Sequence, residues 1–373
     1  VRSYLSLSNH QCYRRLLAQF LGKRDQNGKK VLFDLQDVRI DNVGGRYFYH
    51  IVHDFIAAGY TPYYRDRFRF LANMETKGYK KHLLEFPFFI FREATDLIDG
   101  SEEEVILLSD CPKVIESSKT PRKVLIDYSM LRANLSNNEV PLNFSMSPAI
   151  LRKKLPIPEV DIKAKRPIKF LFAGNLDPKV YGKSTMPDKH GMMNRIQVIE
   201  AIKSMAGEGD LVCPEEQLSF EEITKERNIV ILDTRTCKVP QEQWLEFLSK
   251  ADFFIAAPGE GMPLCHNVVE AIAVGAVPIL SYGEYLGEGL NTDNSVFFSE
   301  EKSLLEALKE LDQPSIYRKE LQRFYRDNLE ASVLAKKLAQ QDEEEEEDEV
   351  NAVLVLNDYR YSRSLDNLAS KVE

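Results

Sequence analysis

Several polar side chains in the second half of the chain have the types and spacing to hold a phosphorylated ligand. In FFIAAPGEGMPLCHNVVEAIAVGAVPIL (Phe253–Leu280), two apolar runs flank a turn containing Pro258, Gly259, Glu260 and Gly261. Glycine has no Cβ, so the backbone there can turn sharply and approach a ligand. The helix expected to start near Pro263–Cys265 presents free N–H groups, a seat for phosphate. His266 and Glu270 are four residues apart, and Asn267 and Glu270 are three apart, so all three share adjoining parts of one helix face. Val268, Ala271 and Ile272 form the opposite, sheet-packing face, and Gly275 closes the helix. A buried carboxylate needs a partner. For Glu270 two partners suit: the hydroxyls of a ribose, or backbone N–H groups of a neighbouring loop.

A matching loop follows another apolar run. GNLDPKVYGKSTMPDKHGMMNR (Gly174–Arg195) carries Asn175, Lys179, Lys183, Lys189, His190 and Arg195. Arg195 falls in the first turn of the next expected helix. The helix dipole disfavours a cation there. A pyrophosphate gripped by the guanidinium fork would account for it. The loop has no GxxxxGK[ST] order and is not a P-loop.

The first half offers a second set. DLQDVRIDNVGGRYFYHIVHDF follows a strand-like run, and Asp34, Asp37 and Asp41 cluster where that strand should end. Gly44 and Gly45 open the next helix and leave room for a bound group, with Arg46 as a cation on the acceptor or phosphate side. His50 and Asp54 are an i, i+4 pair, suited to a base and its orienting partner or to a satisfied surface pair. The candidates for a catalytic base are therefore Asp37, Asp41, His50 and Asp54. His50 and His53 lack the HExxH order, and no metal site is expected.

These groups need elements to hold them. KVLFDL, TPYYRD, FPFFIF, EVILLSD and KVLIDY in the first half are short apolar runs of the kind that become buried parallel strands. IKFLFAGN, NIVILD, DFFIAA and VPIL repeat the pattern in the second half, with helical spacing between them. Strand–helix alternation predicts two doubly wound α/β domains, with a linker and a cleft between them. The expected boundaries are 1–150 for the first domain, a basic, proline-bearing linker to 167, and 167–335 for the second. An acidic linker (336–350) then leads to a last segment (351–373) that returns to the first domain. Pro314 should split the long helical stretch before that linker into two helices.

Composition is that of a soluble globular protein, with 43% hydrophobic and 29% charged residues. The net charge is −9, but Asp342–Glu349 holds eight acids, so the remainder is close to neutral and can carry a positive pocket. Nothing points to nucleic acid as a partner. Five scattered cysteines without CxxC pairs suggest a reducing, cytoplasmic setting. No run of about 20 apolar residues suggests a membrane span, which leaves peripheral membrane contact open.

Residues Pro167–Tyr285 resemble the nucleotide-sugar half of a GT-B glycosyltransferase, in particular of the exostosin-like group. The resemblance is carried by Pro258, Gly259, His266, Asn267, Glu270, Ala271, Ile272, Gly275, Pro278 and Ile279, with Phe170–Asn175 and Arg195. It implies a fold of two Rossmann-like domains facing a cleft. It implies a donor site formed by Gly174, Asn175, Arg195, Pro258, Gly259, Glu260, His266, Asn267 and Glu270, with Glu270 on the ribose. The implied reaction moves a sugar from a nucleoside-diphosphate sugar to a hydroxyl of a glycan or small acceptor, without metal or other cofactor. Two departures stand out. Glu260 lies ten residues before Glu270, where related retaining enzymes place a Glu eight before, and Asn267 stands where an Arg is common. Two other function classes are weighed: a non-catalytic nucleotide- or glycan-binding module, and a Rossmann oxidoreductase or epimerase. The last would need GxGxxG after the first strand, which DLQDVRIDNVGG does not supply.

Overall fold

The computed structural model describes residues 7–24, 28–97, 104–128, 136–142, 145–182, 186–207, 209–260, 263–286, 289–340 and 350–356. The acidic run and the expected closing helix lie outside the described residues. In chain order the strands are β1 (Lys29–Asp34), β2 (Thr61–Arg65), β3 (Phe89–Phe91), β4 (Glu104–Ser109), β5 (Arg122–Asp127), β6 (Glu139–Pro141), β7 (Ile168–Gly174), β8 (Leu211–Val212), β9 (Arg227–Asp233), β10 (Ala251–Ile255), β11 (Val277–Leu280), β12 (Val296–Phe297) and β13 (Ala352–Val355). The chain divides into two compact units, 1–142 with 331–373, and 143–330.

The first unit holds a parallel sheet in the order β3-β2-β1-β4-β5-β13-β6. Its central strands are buried along nearly their whole length, as expected for strands covered on both faces. Leu32, Tyr63, Phe91, Val105, Leu107 and Ile115 form one core cluster. On the helix Arg46–Ala57, Phe48, Ile51, Val52 and Phe55 recur at helical spacing and are fully buried. Phe48 packs edge-on against Phe33 of β1, with ring centroids 5.2 Å apart. Gly59 follows this helix at φ +88°, a backbone conformation suited to glycine. β13 enters from the far end of the chain and lies between β5 and β6.

The second unit holds a parallel sheet in the order β12-β11-β10-β7-β9-β8. Phe170 of β7 and Phe253 of β10 pack across the pairing at 5.5 Å. The chain moves from β7 to one side and later returns to the other at β10, so the order reverses between these neighbours. Pro314 does separate two helices, Glu301–Glu310 and Ser315–Phe324.

The boundary between the units falls at 142/143, not at 150. The last residues of the expected first domain and the segment read as a linker belong to the second unit, whose residues they bond. Ser147 N–H donates to Glu270 (2.8 Å), and the carbonyl of Ser145 accepts from His266 (2.7 Å). Farther along, buried Arg166 donates to the carbonyls of Ala251 and Val274, both at 2.8 Å.

Candidate functional site

In an open parallel sheet, ligands sit beyond the carboxyl ends of the strands where strand order reverses. In the second unit that point lies between the ends of β7 and β10, where Gly174–Asn175 and Ala256–Gly259 emerge side by side. The helix Arg195–Met205 starts here behind a reciprocal cap, in which Asn194 accepts from Gln197 N–H and Gln197 accepts from Asn194 N–H. That cap fixes Arg195 at the first helical position, pointing into the reversal.

Arg195 is 3% exposed. Its Nε donates to the Pro258 carbonyl (3.0 Å), Nη1 to the Asn175 carbonyl (3.0 Å) and Nη2 to Cys265 Sγ (3.2 Å). The guanidinium lies 4.0 Å from the centroid of the Tyr181 ring. One fork thus ties together the loops after β7 and β10 and the start of the next helix. Gly174 permits this: a Cβ there would meet Phe172 Cζ at 3.0 Å and Arg195 Nη1 at 3.5 Å. Among the described residues, no carboxylate lies within ion-pair distance of Arg195. Among the described residues its buried charge is met by carbonyl dipoles, a thiol, the Tyr181 side chain and the Phe172 ring, which offset desolvation less than a carboxylate would.

The helix His266–Ala273 begins one residue later than the latest expected start. Its preceding residue, Cys265, makes no side-chain cap, so its first amides depend on other partners. Asn267 Nδ2 donates to the Ala173 carbonyl (2.9 Å), pinning the helix to β7. His266 Nδ1 bonds the Ser145 carbonyl, so that nitrogen carries the hydrogen. Glu270 is 2% exposed and accepts from Ser147 N–H and from Trp244 Nε1 (2.6 Å). The loop amide and the indole are thus protein partners for this carboxylate. Glu260 is exposed, Pro258 is buried, and Gly259 N–H bonds the Pro263 carbonyl (3.1 Å). Gly261 and Lys183 lie outside the described residues. Gly275 ends the helix at φ +74°, where a Cβ would meet Val160 Cγ1 at 2.5 Å.

In the first unit several expected base candidates have structural work. Asp41 is buried against Lys80 Nζ (2.9 Å) and Asn73 Nδ2 (2.7 Å). Burial draws the Lys80 pKa down to about 8, against the opposing pull of Asp41. Asp54 does not pair with His50; it accepts from Ser332 N–H (2.9 Å) and Ala335 N–H (2.8 Å), capping the helix Val333–Gln340. Desolvation raises its pKa to about 6, with those amides opposing the rise. His50 is buried at 4% exposure. Arg46 donates to the Tyr79 hydroxyl (2.8 Å) and stacks over that ring, so its guanidinium meets a side chain of its own unit. Gly44 lies in the 3-10 turn Val38–Gly45, and Gly45 takes φ +78° with Lys80 Cβ 3.0 Å from where its own Cβ would sit.

Asp37 remains at the strand ends. It accepts from Arg39 N–H (2.8 Å) and Arg39 Nε (2.7 Å). Beside it, Asp110 accepts from Gln36 N–H (2.8 Å), Asp37 N–H (2.9 Å) and the Tyr128 hydroxyl (3.2 Å). Burial pushes the Asp110 carboxyl up from its ordinary value. Asp34 forms a two-point pair with Arg67. β1 and β4 are the neighbours at which the order of this sheet reverses.

No family model matches the sequence, and no curated protein matches it. Solved structures do. One is HepE of Anabaena in complex with UDP, at 12% identity, TM-score 0.43, covering 84% of this chain and 99% of that one. Another is an α-glucosyltransferase in complex with UDP and a 13-mer DNA, at 14% identity, TM-score 0.37, with 83% and 97% covered. A third is AviGT4, a glycosyltransferase involved in avilamycin A biosynthesis, at 13% identity, TM-score 0.38, with 84% and 97% covered.

Sequence reasoning missed Asp110, Tyr128, Tyr181, Trp244 and Cys265. Trp244 carried one signal, being the only tryptophan of the chain. Among the described residues, no cluster of His, Cys, Asp or Glu has the arrangement of a metal site, and no helix is long and apolar enough to cross a membrane.

Proposed function

We propose that the chain is a glycosyltransferase of the GT-B kind, taking its sugar from a nucleoside-diphosphate donor bound in the second unit. The observation that carries this reading is Arg195. A buried cation with no carboxylate partner among the described residues, at the strand-order reversal and beside an uncapped helix start, suits a bound diphosphate. The exostosin-like assignment rests on the Phe253–Leu280 motif.

On this reading the bond between the sugar's anomeric carbon and the diphosphate breaks, and a bond to the acceptor oxygen forms. Negative charge grows on the leaving diphosphate, and Arg195 with the amides of the His266–Ala273 helix would stabilise it without requiring a metal. Gly174, Asn175, Pro258 and Gly259 shape the seat, and Asn267 and His266 fix the helix that provides it. Glu270 would meet a ribose hydroxyl in competition with the Trp244 indole. The acceptor is a hydroxyl of a glycan or small molecule. Should the reaction invert, its proton would pass to a first-unit base, for which we favour Asp37. Asp41 and Asp54 are committed to Lys80 and to a helix start.

Calorimetric titration with UDP and GDP tests this reading. One of them is expected to bind, and Glu270→Ala to weaken that binding about tenfold, equivalent to about 1.4 kcal/mol. If neither nucleotide binds, the donor-site assignment fails. Tight binding without donor hydrolysis or transfer across a wide acceptor screen would point to a non-catalytic nucleotide-binding module.

A further inference from the structure

The second unit carries a cavity at the opposite edge of the sheet from the Arg195 loops. It has a volume of about 690 Å³ and is lined where β7, β9 and β10 begin, by Pro167, Arg227 and Asp252 among others. That volume is in the range of small-molecule sites. All its lining residues belong to the second unit.

Its charge is one-sided. Lys163, Lys165, Arg166, Lys169, Arg227 and Arg318 line it. Among the described residues that line it there are three acids, Glu226, Asp252 and Asp312, and the charge of Asp161 also acts on Arg166 and Arg318. Lys165 pairs with Glu226 (3.3 Å), and Arg318 pairs with Asp252. Once these pairs are set aside, four lining cations face one lining carboxylate.

Two of the cations are fixed and buried. Arg318 is 0% exposed and donates to the carbonyls of Gly275 (3.2 Å), Ala164 (2.7 Å) and Ile162 (3.3 Å). Arg166, 8% exposed, is held by the carbonyls of Ala251 and Val274. Burial and then the neighbouring Arg318 charge pull the Arg166 pKa down to about 9. Holding two guanidinium groups so close costs free energy, which the charges of Asp252 and Asp161 oppose. The ten-residue helix Ser315–Phe324 also opens on this cavity, and no side chain caps its first turn. Its amides and dipole favour an anion at the same place.

We propose that this cavity is a second anion site, taking a small soluble polyanion of the pyrophosphate or phosphate-ester class, distinct from the Arg195 site. The immobile Arg166 and Arg318 supply a preformed positive floor, and the more exposed Lys163, Lys169 and Arg227 close around the ligand. Binding would offset the repulsion between the two guanidinium groups. The proposal does not depend on the donor reading, because its residues lie at the other ends of the strands.

Hydrogen–deuterium exchange of the full chain with added inorganic pyrophosphate locates the binding. Protection is expected at amides of 163–169 and 315–318. In the triple variant Lys163→Glu, Lys169→Glu, Arg227→Glu, the concentration giving half-protection should rise at least ~10-fold, equivalent to about 1.4 kcal/mol. Lys169→Ala, which removes a single partly exposed charge, should give a smaller rise in the same direction and guards against loss of fold in the triple variant. Protection confined to 174–195 and 258–267, protection nowhere, or protection of 163–169 that survives both variants would each overturn the proposal. Protection produced by phosphatidic acid vesicles and not by free pyrophosphate would overturn it as well.

Discussion

Arg195 is both a structural tie and the centre of positive charge in the candidate site, and these roles can be separated. Its fork holds two carbonyls and a thiol in different directions, which needs a planar group with several fixed donors. Lysine would keep the charge but lose the simultaneous contacts. The Pro258 and Asn175 carbonyls would then compete for one ammonium, and a buried acceptor left unpaired costs about 1–3 kcal/mol. Arg195→Lys is therefore expected to lower stability by about that amount in urea titration, and to weaken nucleotide binding more than tenfold. An Arg195→Lys variant with native affinity for UDP and GDP would remove the phosphate role and leave only the tie. Glu270 differs, because the protein already gives its carboxylate an amide and an indole. A ligand there has to compete, whereas at Arg195 a ligand adds a charge that is missing.

At the scale of the elements, Asp54 shows how the returning chain is anchored. It sits on the helix Arg46–Ala57 and caps Val333–Gln340, 278 residues away at Ser332. Burial raises its folded pKa to about 6 from an ordinary value of 3.8. A raised carboxyl pKa means that the folded state binds its proton more tightly than the unfolded state. This group's contribution to stability is therefore greatest below about pH 4 and falls as pH rises through about 6. Asp54→Asn should flatten that part of the stability–pH curve, read by denaturant unfolding between pH 4 and 7. A native slope that Asn leaves unchanged would assign the dependence to another group. The same element shows why part of the site was hidden in the sequence. His50 and Asp54 have the spacing of a local pair, but the partners of Asp54 come from the other end of the chain. Asp41 likewise meets Lys80, 39 residues on. Local periodicity reveals buried strands and helix faces, so β1, β4, β7, β9 and β10 were legible, whereas the strand order that sets Gly174 beside Pro258 was not. It carries no signal for the short strands β6, β8 and β12. Nor does it show that Ser145 and Ser147 are held by a helix more than 120 residues later.

At the scale of the whole chain, the two units differ in how they are built from it. The second is one continuous stretch, whereas the first is closed by residues that follow the second. β13 is not an edge addition, because it pairs with β5 on one side and β6 on the other. Ala352, Leu354, Val355 and Leu356 are all fully buried. Burying a Leu or Val side chain contributes about 1.5–3 kcal/mol, so the two leucines and the valine together contribute at least about 4.5 kcal/mol. That is comparable to the whole stability of many domains, about 5–15 kcal/mol. Removing the segment would also leave β5 and β6 without their shared partner and expose strand edges. Ending the chain after Gln340 should therefore unfold or strongly loosen the first unit while the second stays protected. Hydrogen–deuterium exchange resolves the two. Fast exchange is expected through β1, β4 and β5, with native rates through β7, β9 and β10. Native protection of β5 in the truncated chain would show that the first sheet forms without its last strand. Loss of protection in both units together would mean that they fold as one cooperative body, and the contiguous second unit could not be treated as an independent support for the Arg195 site.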